Sequence, residues 1–299
     1  MDAIDIKIFR KLRLGGRSEF DPFPTMVSSI RQVASDMGID KDTVRRRLSR
    51  LEAEGIFSGW YSMINPNSLS MKVERVWFSK FRERVEMDSV IERFSNTSNV
   101  RTITRYFDDA LSIIYVKRQP GDLHNFLQSI FEKMDRPQVV RQETLNFPPS
   151  SRKLSLNDRN VYEAIRNRFD RPNSYIAGQA GLTVRSVRRK FHSLSESKAI
   201  LLLSHWNPRK IKGVVLELFV RCSAEKAIEK FTTQVASEYD DFLLTIEPYE
   251  KHGACFYLIT ENIFQARECI RFASSQRDTV DIVAHLIDDV HFVRERLRF

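Results

Sequence analysis

Residues 33–48 read Val-Ala-Ser-Asp-Met-Gly-Ile-Asp-Lys-Asp-Thr-Val-Arg-Arg-Arg-Leu, and residues 176–191 read Ile-Ala-Gly-Gln-Ala-Gly-Leu-Thr-Val-Arg-Ser-Val-Arg-Arg-Lys-Phe. The two stretches align at an offset of 143 without a gap, and their apolar, small, glycine and basic positions coincide. Each predicts a helix, a sharp glycine turn and a second helix with a basic outer face. In the first copy Ile30, Val33, Ala34 and Met37 share one helical face. Gly38 follows where the turn needs a positive φ. Asp40 is a natural N-cap for the next helix, in which Val44, Leu48 and Leu51 point inward and Gly55 ends the run. The second copy repeats the plan with Gly181, a Thr183 cap and Val187, Phe191 and Leu194 inward, but its helix ends at Lys198 where the first has glycine.

Working outward, a preceding helix is expected in both halves. Ile4, Ile8 and Leu12 have i, i+4 spacing, with Asp5 near the positive end of the helix dipole. Asp5, Ile8, Phe9 and Leu12 correspond to Asp158, Val161, Tyr162 and Ile165 at an offset of 153. The first copy carries a longer connection, marked as loop by Gly15-Gly16 and Asp21-Pro22-Phe23-Pro24. After each third helix comes a β-prone stretch, 56–64 and 200–206, leading to Asn65-Pro66 and Asn207-Pro208. Each unit thus reads as three helices plus a strand or small wing.

The remainder of each half predicts a βαββαβ unit, the split βαβ pattern of ferredoxin-like folds. In the first half the strands are expected at 73–81, 100–107, 111–117 and 139–147, with helices at 87–94 and from Gly121 to Met134. In the second they fall at 214–220, 242–247, 255–260 and 280–287, with helices at 224–236 and 262–274. Val214, Leu216, Leu218 and Val220 give the second unit's first strand one apolar face, while Val215 and Phe219 make the other partly apolar. With helices on one side only, that second face needs cover, and the sister sheet is the economical candidate. The fold class is therefore α+β, two winged helix-turn-helix domains (1–70 and 151–212) alternating with two ferredoxin-like α/β domains (71–150 and 213–299), joined at a polar Pro148-Pro149-Ser150-Ser151-Arg152 linker.

Charge is unevenly spread. The chain has a formal net charge of +9, but residues 151–212 hold 14 Lys/Arg against 4 Asp/Glu, whereas 213–299 hold 10 against 15. A basic unit of this kind favours a polyanionic partner through phosphate neutralisation and counterion release. Cys222, Cys255 and Cys269, odd in number and widely spaced, predict free thiols rather than a disulfide framework or a metal site. No Walker loop, zinc ligand set or G-x-S-x-G elbow occurs, and no cofactor is expected. The acidic start, Met-Asp-Ala-Ile-Asp, lacks the apolar core of a signal peptide, and no apolar run has membrane-spanning length, so a cytoplasmic location is expected.

Asp2-Ala3-Ile4-Asp5-Ile6-Lys7-Ile8, and Thr43 to Ile56 with Gly59-Trp60 and Asn65-Pro66 after them, resemble the Lrp/AsnC-type transcription regulators. The resemblance covers 1–66 well and 155–208 moderately, and it extends to the α/β parts in topology only. It implies a winged helix-turn-helix before a βαββαβ effector and dimerisation domain, with Asp40–Gly55 as recognition helix. Two readers in one chain depart from the usual single-reader subunit and look like two members fused. The family's glycine-then-aspartate between the second and third strands is not kept in Arg105-Tyr106-Phe107-Asp108-Asp109-Ala110, nor in the 247–254 stretch. An amino-acid effector is accordingly not carried over to either copy.

On this reading the partner is double-stranded DNA. Lys41, Thr43 and Arg45 are best placed to reach base edges in the major groove, Arg45 or Arg46 can bind guanine with two hydrogen bonds, and Arg47 and Arg50 face phosphate or solvent. Arg185, Ser186, Arg188 and Arg189 take these roles in the second copy, with Lys190 on phosphate. Two non-identical readers suit an asymmetric operator. A homodimer through the α/β sheets is a further expectation. Two other classes compete. Sirohaem decarboxylases of haem biosynthesis look like the same fusion, but need His and Arg in the α/β pocket; here His124, His252, His285 and His291 lie apart, and no enzyme activity is expected. A protein-interaction scaffold with degenerate readers is the third, disfavoured by the basic outer faces.

Overall fold

The structure is a computed structural model that describes residues 1–14, 20–79, 81, 84–97, 99–117, 125, 127–128, 138–150, 152–166, 172–249 and 252–293. The expected helix from Gly121 to Met134, with His124, lies outside them apart from Asn125, Leu127 and Gln128, as does the Gly15-Gly16 part of the first connection.

The first unit comprises α1 (Ala3–Leu12), a short hairpin of β1 (Arg13–Leu14) and β2 (Met26–Val27), α2 (Ile30–Met37), α3 (Lys41–Ala53) and β3 (Phe57–Ile64). Its helices start where the sequence supplies caps. Asp2 and Asp5 form a reciprocal capping box on α1, and Ser29 and Asp40 cap α2 and α3. Gly38 turns the chain at φ 64°. Next come β4 (Lys72–Ser79), α4 (Arg84–Ser95), β5 (Val100–Tyr106), β6 (Leu111–Lys117) and β7 (Gln138–Thr144).

The second half repeats this as α5 (Leu156–Ile165), α6 (Asn173–Ala180), α7 (Val184–Glu196) and β8 (Ile200–Trp206), then β9 (Val214–Cys222), α8 (Glu225–Glu238), β10 (Leu243–Tyr249), β11 (Gly253–Thr260), α9 (Ile263–Ser275) and β12 (Thr279–Phe292). Ser155 and Asp158 reproduce the capping box on α5. Gly181 repeats the turn, at φ 65°. Lys198, the non-glycine position noted in the sequence, adopts φ 51° where Gly55 adopts 69°. The second copy therefore keeps the left-handed backbone of the first and holds it with a residue that has a Cβ.

The halves are joined at two levels. β3 and β8 pair antiparallel with each other, from Phe57 opposite Trp206 to Ile64 opposite Ile200. Phe9, Phe57 and Trp206 stack edge-on and tilted at this junction, with centroids 4.0–5.3 Å apart. Below it lies one eight-stranded sheet in the order β10-β11-β9-β12-β5-β6-β4-β7. Each half contributes the antiparallel 4-1-3-2 order of a ferredoxin-like unit. β12 runs to Phe292, beyond the expected end at residue 287, because its first part pairs with β9 and its second with β5. The opposite edge is not treated alike: Phe20, in the long first connection, accepts hydrogen bonds from the Ile246 N–H (3.1 Å) and the Thr245 hydroxyl (2.7 Å), covering the β10 margin. At that point the edge has no free N–H to offer another chain, a covering of the kind that blunts edge-to-edge pairing.

The sheet also folds onto itself. Leu216, Leu218 and Val220 of β9 pack under α8 and α9, while Val215 and Phe219 face the other half. There Phe219 meets Trp77 of β4, edge-on at 5.3 Å, with both side chains at 1% exposure. Truncating either ring to alanine removes a filled core position worth about 3–5 kcal/mol. The expected apolar second face is thus covered by the sister sheet within the chain.

At the centre of this interface lies a buried polar network. The Arg75 guanidinium donates to Glu217 (3.0 Å) and Glu247 (2.8 Å), and Tyr106 and Tyr257 donate to Glu217 at 2.5 and 2.6 Å. Glu143 lies further from Arg75, at 3.9 Å, and its Oε2 has no partner among the described residues. Burial, together with the neighbouring Glu247 and Glu217, pushes the Glu143 carboxyl up to about 7 against the attraction of Arg75 and Arg141.

Candidate nucleic-acid interface

The two third helices, α3 and α7, carry the candidate contacts. On α3, Lys41, Arg45 and Arg46 are exposed and Thr43 is half-buried. Arg45 is ion-paired with Asp42 one turn back, and Arg46 donates to the Thr43 hydroxyl at 3.4 Å. On α7, Arg185, Arg188 and Arg189 are exposed, and no hydrogen bond or ion pair engages them among the described residues. Ser186 is taken up in the helix start, its N–H donating to Thr183 Oγ1 at 3.1 Å.

Arg47, Arg50 and Lys190 are placed differently. Asp5 of α1, with no exposed surface, accepts from Arg47 (2.9 Å) and Arg50 (2.5 Å). Arg47 also meets Asp2 at 2.7 Å. In the second copy Asp158, 2% exposed, accepts from Lys190 (2.8 Å) and from Arg152 (3.1 Å), which also bonds Ser193. Burial raises the Asp158 carboxyl, but hydrogen bonds from Lys190, Ser155 and Arg152 outweigh it and hold the group well below the usual range. The expectation of phosphate or solvent for these cations meets a physical competitor. A buried carboxylate must be paired, and the capping-box acid of the first helix is paired by the third. The same device in both copies fixes the third helix to its scaffold; among the described residues it leaves Arg185, Arg188 and Arg189 of α7 unengaged, whereas Arg45 and Arg46 of α3 keep local partners.

In the sequence Arg152 stands only as the last residue of a polar linker. Its role was not visible because its acid lies in α5 and its hydroxyl partner in α7.

A second feature has no counterpart in the sequence reading. A cavity of about 730 Å³ lies between the β3–β8 pair, the Leu145–Phe147 segment and the sheet. Tyr61, Met63, Val290 and Phe292 contribute apolar walls, and Arg13, Arg75, His205 and Tyr257 contribute polar groups. His205 is hydrogen-bonded to Ser58 at 2.6 Å, and burial lowers the pKa of its ring. Cys222, Cys255 and Cys269 are buried free thiols. Among the described residues there is no group of three or more His, Cys, Asp or Glu able to hold a metal, and no helix is long and apolar enough to cross a membrane.

Two helix-turn-helix units alternating with two ferredoxin-like units define the class by architecture: a duplicated helix-turn-helix and ferredoxin-like fold. The chain is similar to the HTH-type transcriptional regulator Ptr1 of Methanocaldococcus jannaschii, 31% identical over 106 residues, a match covering 32% of this chain and 65% of that protein, just under two thirds of its length. In solved structures the whole arrangement is matched by the siroheme decarboxylase NirDL, at 12% identity and a TM-score of 0.58, over 96% of this chain and 91% of that one. E. coli AsnC matches 52% of this chain and 97% of its own, at 17% identity and a TM-score of 0.33. No model of a known protein family matches the chain.

Proposed function

We propose that the chain is a transcription regulator that reads double-stranded DNA with α3 and α7 as two non-identical recognition helices. The observation that carries this is the set Arg185, Arg188 and Arg189: three exposed guanidiniums on one helix, unengaged within the described chain, in the unit with the largest positive excess. Lys41, Arg45 and Arg46 offer a weaker counterpart on α3, moderated by Asp42. The likeness to Ptr1 supports the reading. Because the two units pair through β3 and β8 inside one chain, a single molecule presents both helices, and the pair suits an asymmetric site better than a palindrome.

The test is selection of bound duplexes from random DNA, followed by anisotropy titrations over a salt series. Each phosphate contact contributes a slope of about −0.9 in log K against log salt. Replacing Arg185, Arg188 and Arg189 by Ala should flatten the slope by about 1–3 and weaken binding. Unchanged affinity and slope would remove α7 as a reader.

A second reading, a tetrapyrrole decarboxylase, rests on the NirDL likeness and on the presence of a large cavity with His205 in its wall. Addition of an iron tetrapyrrole would then produce a shifted Soret band that His205→Ala abolishes. The regulator reading predicts no such band.

A further inference from the structure

Arg13 is the C-cap residue of α1, at the edge of the cavity beneath the two readers. Among the described residues its guanidinium donates only to backbone carbonyls, Leu244 at 3.3 Å and Asp21 at 3.5 Å, and its buried Nε finds no partner. No carboxylate lies within ion-pair distance of it among the described residues; Asp21 and Glu247 act on it only from further away. Burial lowers its pKa to about 10, so it is still a cation at neutral pH. Glu247, the acid in the cavity wall, is already engaged by Arg75 and Tyr257. Arg13 is half-buried, with its Nε buried; a partly desolvated guanidinium without a counter-charge carries a cost, and the cavity it lines is of ligand size with predominantly apolar walls.

We propose that this cavity binds a small amphipathic organic anion, with a carboxylate-like head on Arg13 and an apolar body among Tyr61, Met63, Val290 and Phe292. The head supplies the missing counter-charge and accepts from the orphaned Nε–H. The body fills the space under the β3–β8 pair. Arg13 closes the helix whose other end carries Asp5, the anchor of Arg47 and Arg50 on α3. A ligand here therefore sits one rigid helix away from the first reader, and it contacts strands of both halves.

The test uses the full chain without DNA, so its result is independent of the reading of α3 and α7. Decanoate, decan-1-ol and decyltrimethylammonium share one apolar body and differ in head charge; each is titrated by calorimetry and followed by thermal shift. Decanoate should bind at least tenfold more tightly than decanol, and the cationic probe more weakly than either. Arg13→Met should erase the preference for decanoate while leaving decanol binding in place. Thr104→Phe, which narrows the cavity from the β5 side, should weaken decanoate and decanol together by tenfold or more. Equal affinity of the wild-type chain for decanoate and decanol overturns the proposal, whatever the variants do. So does decanoate binding that survives Thr104→Phe unchanged, since the probe would then lie elsewhere.

Discussion

Replacing Glu143 by Gln should stabilise this protein at alkaline pH and leave it little changed at acid pH. In the unfolded chain the carboxyl titrates near 4.5; in the fold burial and the adjacent Glu247 and Glu217 raise it to about 7. Between those values folding takes up a proton, so this group's contribution to stability is fully present below about pH 4.5 and is lost as the pH rises through 7. At about 1.4 kcal/mol per pH unit, the gap between 4.5 and about 7 corresponds to a handicap of about 3 kcal/mol at pH 8. Glutamine has the same shape, no charge to desolvate, and an oxygen that can face Arg75. With about 2–4 °C of Tm per kcal/mol for a chain of this order of size, Glu143→Gln should melt roughly 6–12 °C above the wild type at pH 8. The two should converge by pH 5. Scanning calorimetry at pH 5, 6, 7 and 8 provides the measurement. A variant that melts below the wild type at pH 8, or that keeps the wild-type slope from pH 5 to 8, would refute the idea that one poorly partnered carboxylate dominates the pH dependence of the junction.

Three further outcomes can be checked by thermal or chemical unfolding and binding. Lys198→Gly should stabilise the chain by about 1 kcal/mol, since the backbone there is already left-handed, whereas Gly55→Ala should destabilise it by a similar amount. Asp158→Asn should cost about 1–3 kcal/mol at neutral pH by weakening the Lys190 and Arg152 bonds. Because the wild-type carboxyl is held below its ordinary range, that difference is present above about pH 4 and shrinks as the pH falls further. Trp206→Ala should cost about 3 kcal/mol by opening the ring cluster with Phe9 and Phe57, and it should lower duplex affinity more than any single arginine on α7 does.

The elements were legible in the sequence where their causes are local. Asp40, Thr183, Gly38 and Gly181 mark helix starts and turns from within a few residues, and they lie there in the structure. The alternation in Val214–Val220 announced two occupied faces, both of which are filled. What escaped was set by partners far along the chain. Nothing near Phe57 indicates Trp206, and nothing near Val290 indicates Thr104, because strand pairing leaves no mark of its partner on either strand. Arg47, expected at phosphate or solvent, and Lys190, expected on phosphate, are half-buried in the structure, because Asp5 and Asp158 capture them from another helix. The cavity has no sequence signature, since it is the space left between surfaces that meet only in the tertiary fold. Arg13 carries no mark of its own in the sequence: a basic residue at a helix end is ordinary, since it complements the dipole.

The seam between β12 and β5 has a consequence for how such a protein behaves in a mixed population. Two-fold dimers of separate subunits exchange partners, so an altered subunit is blended with normal ones and its defect is shared out. Here the partner at both junctions is the other half of the same polypeptide, held at an effective concentration that no free half could match. Exchange across these junctions is closed. An altered copy therefore cannot poison its neighbours through them, and a change such as Lys198 in place of glycine can settle in one half without being imposed on the other.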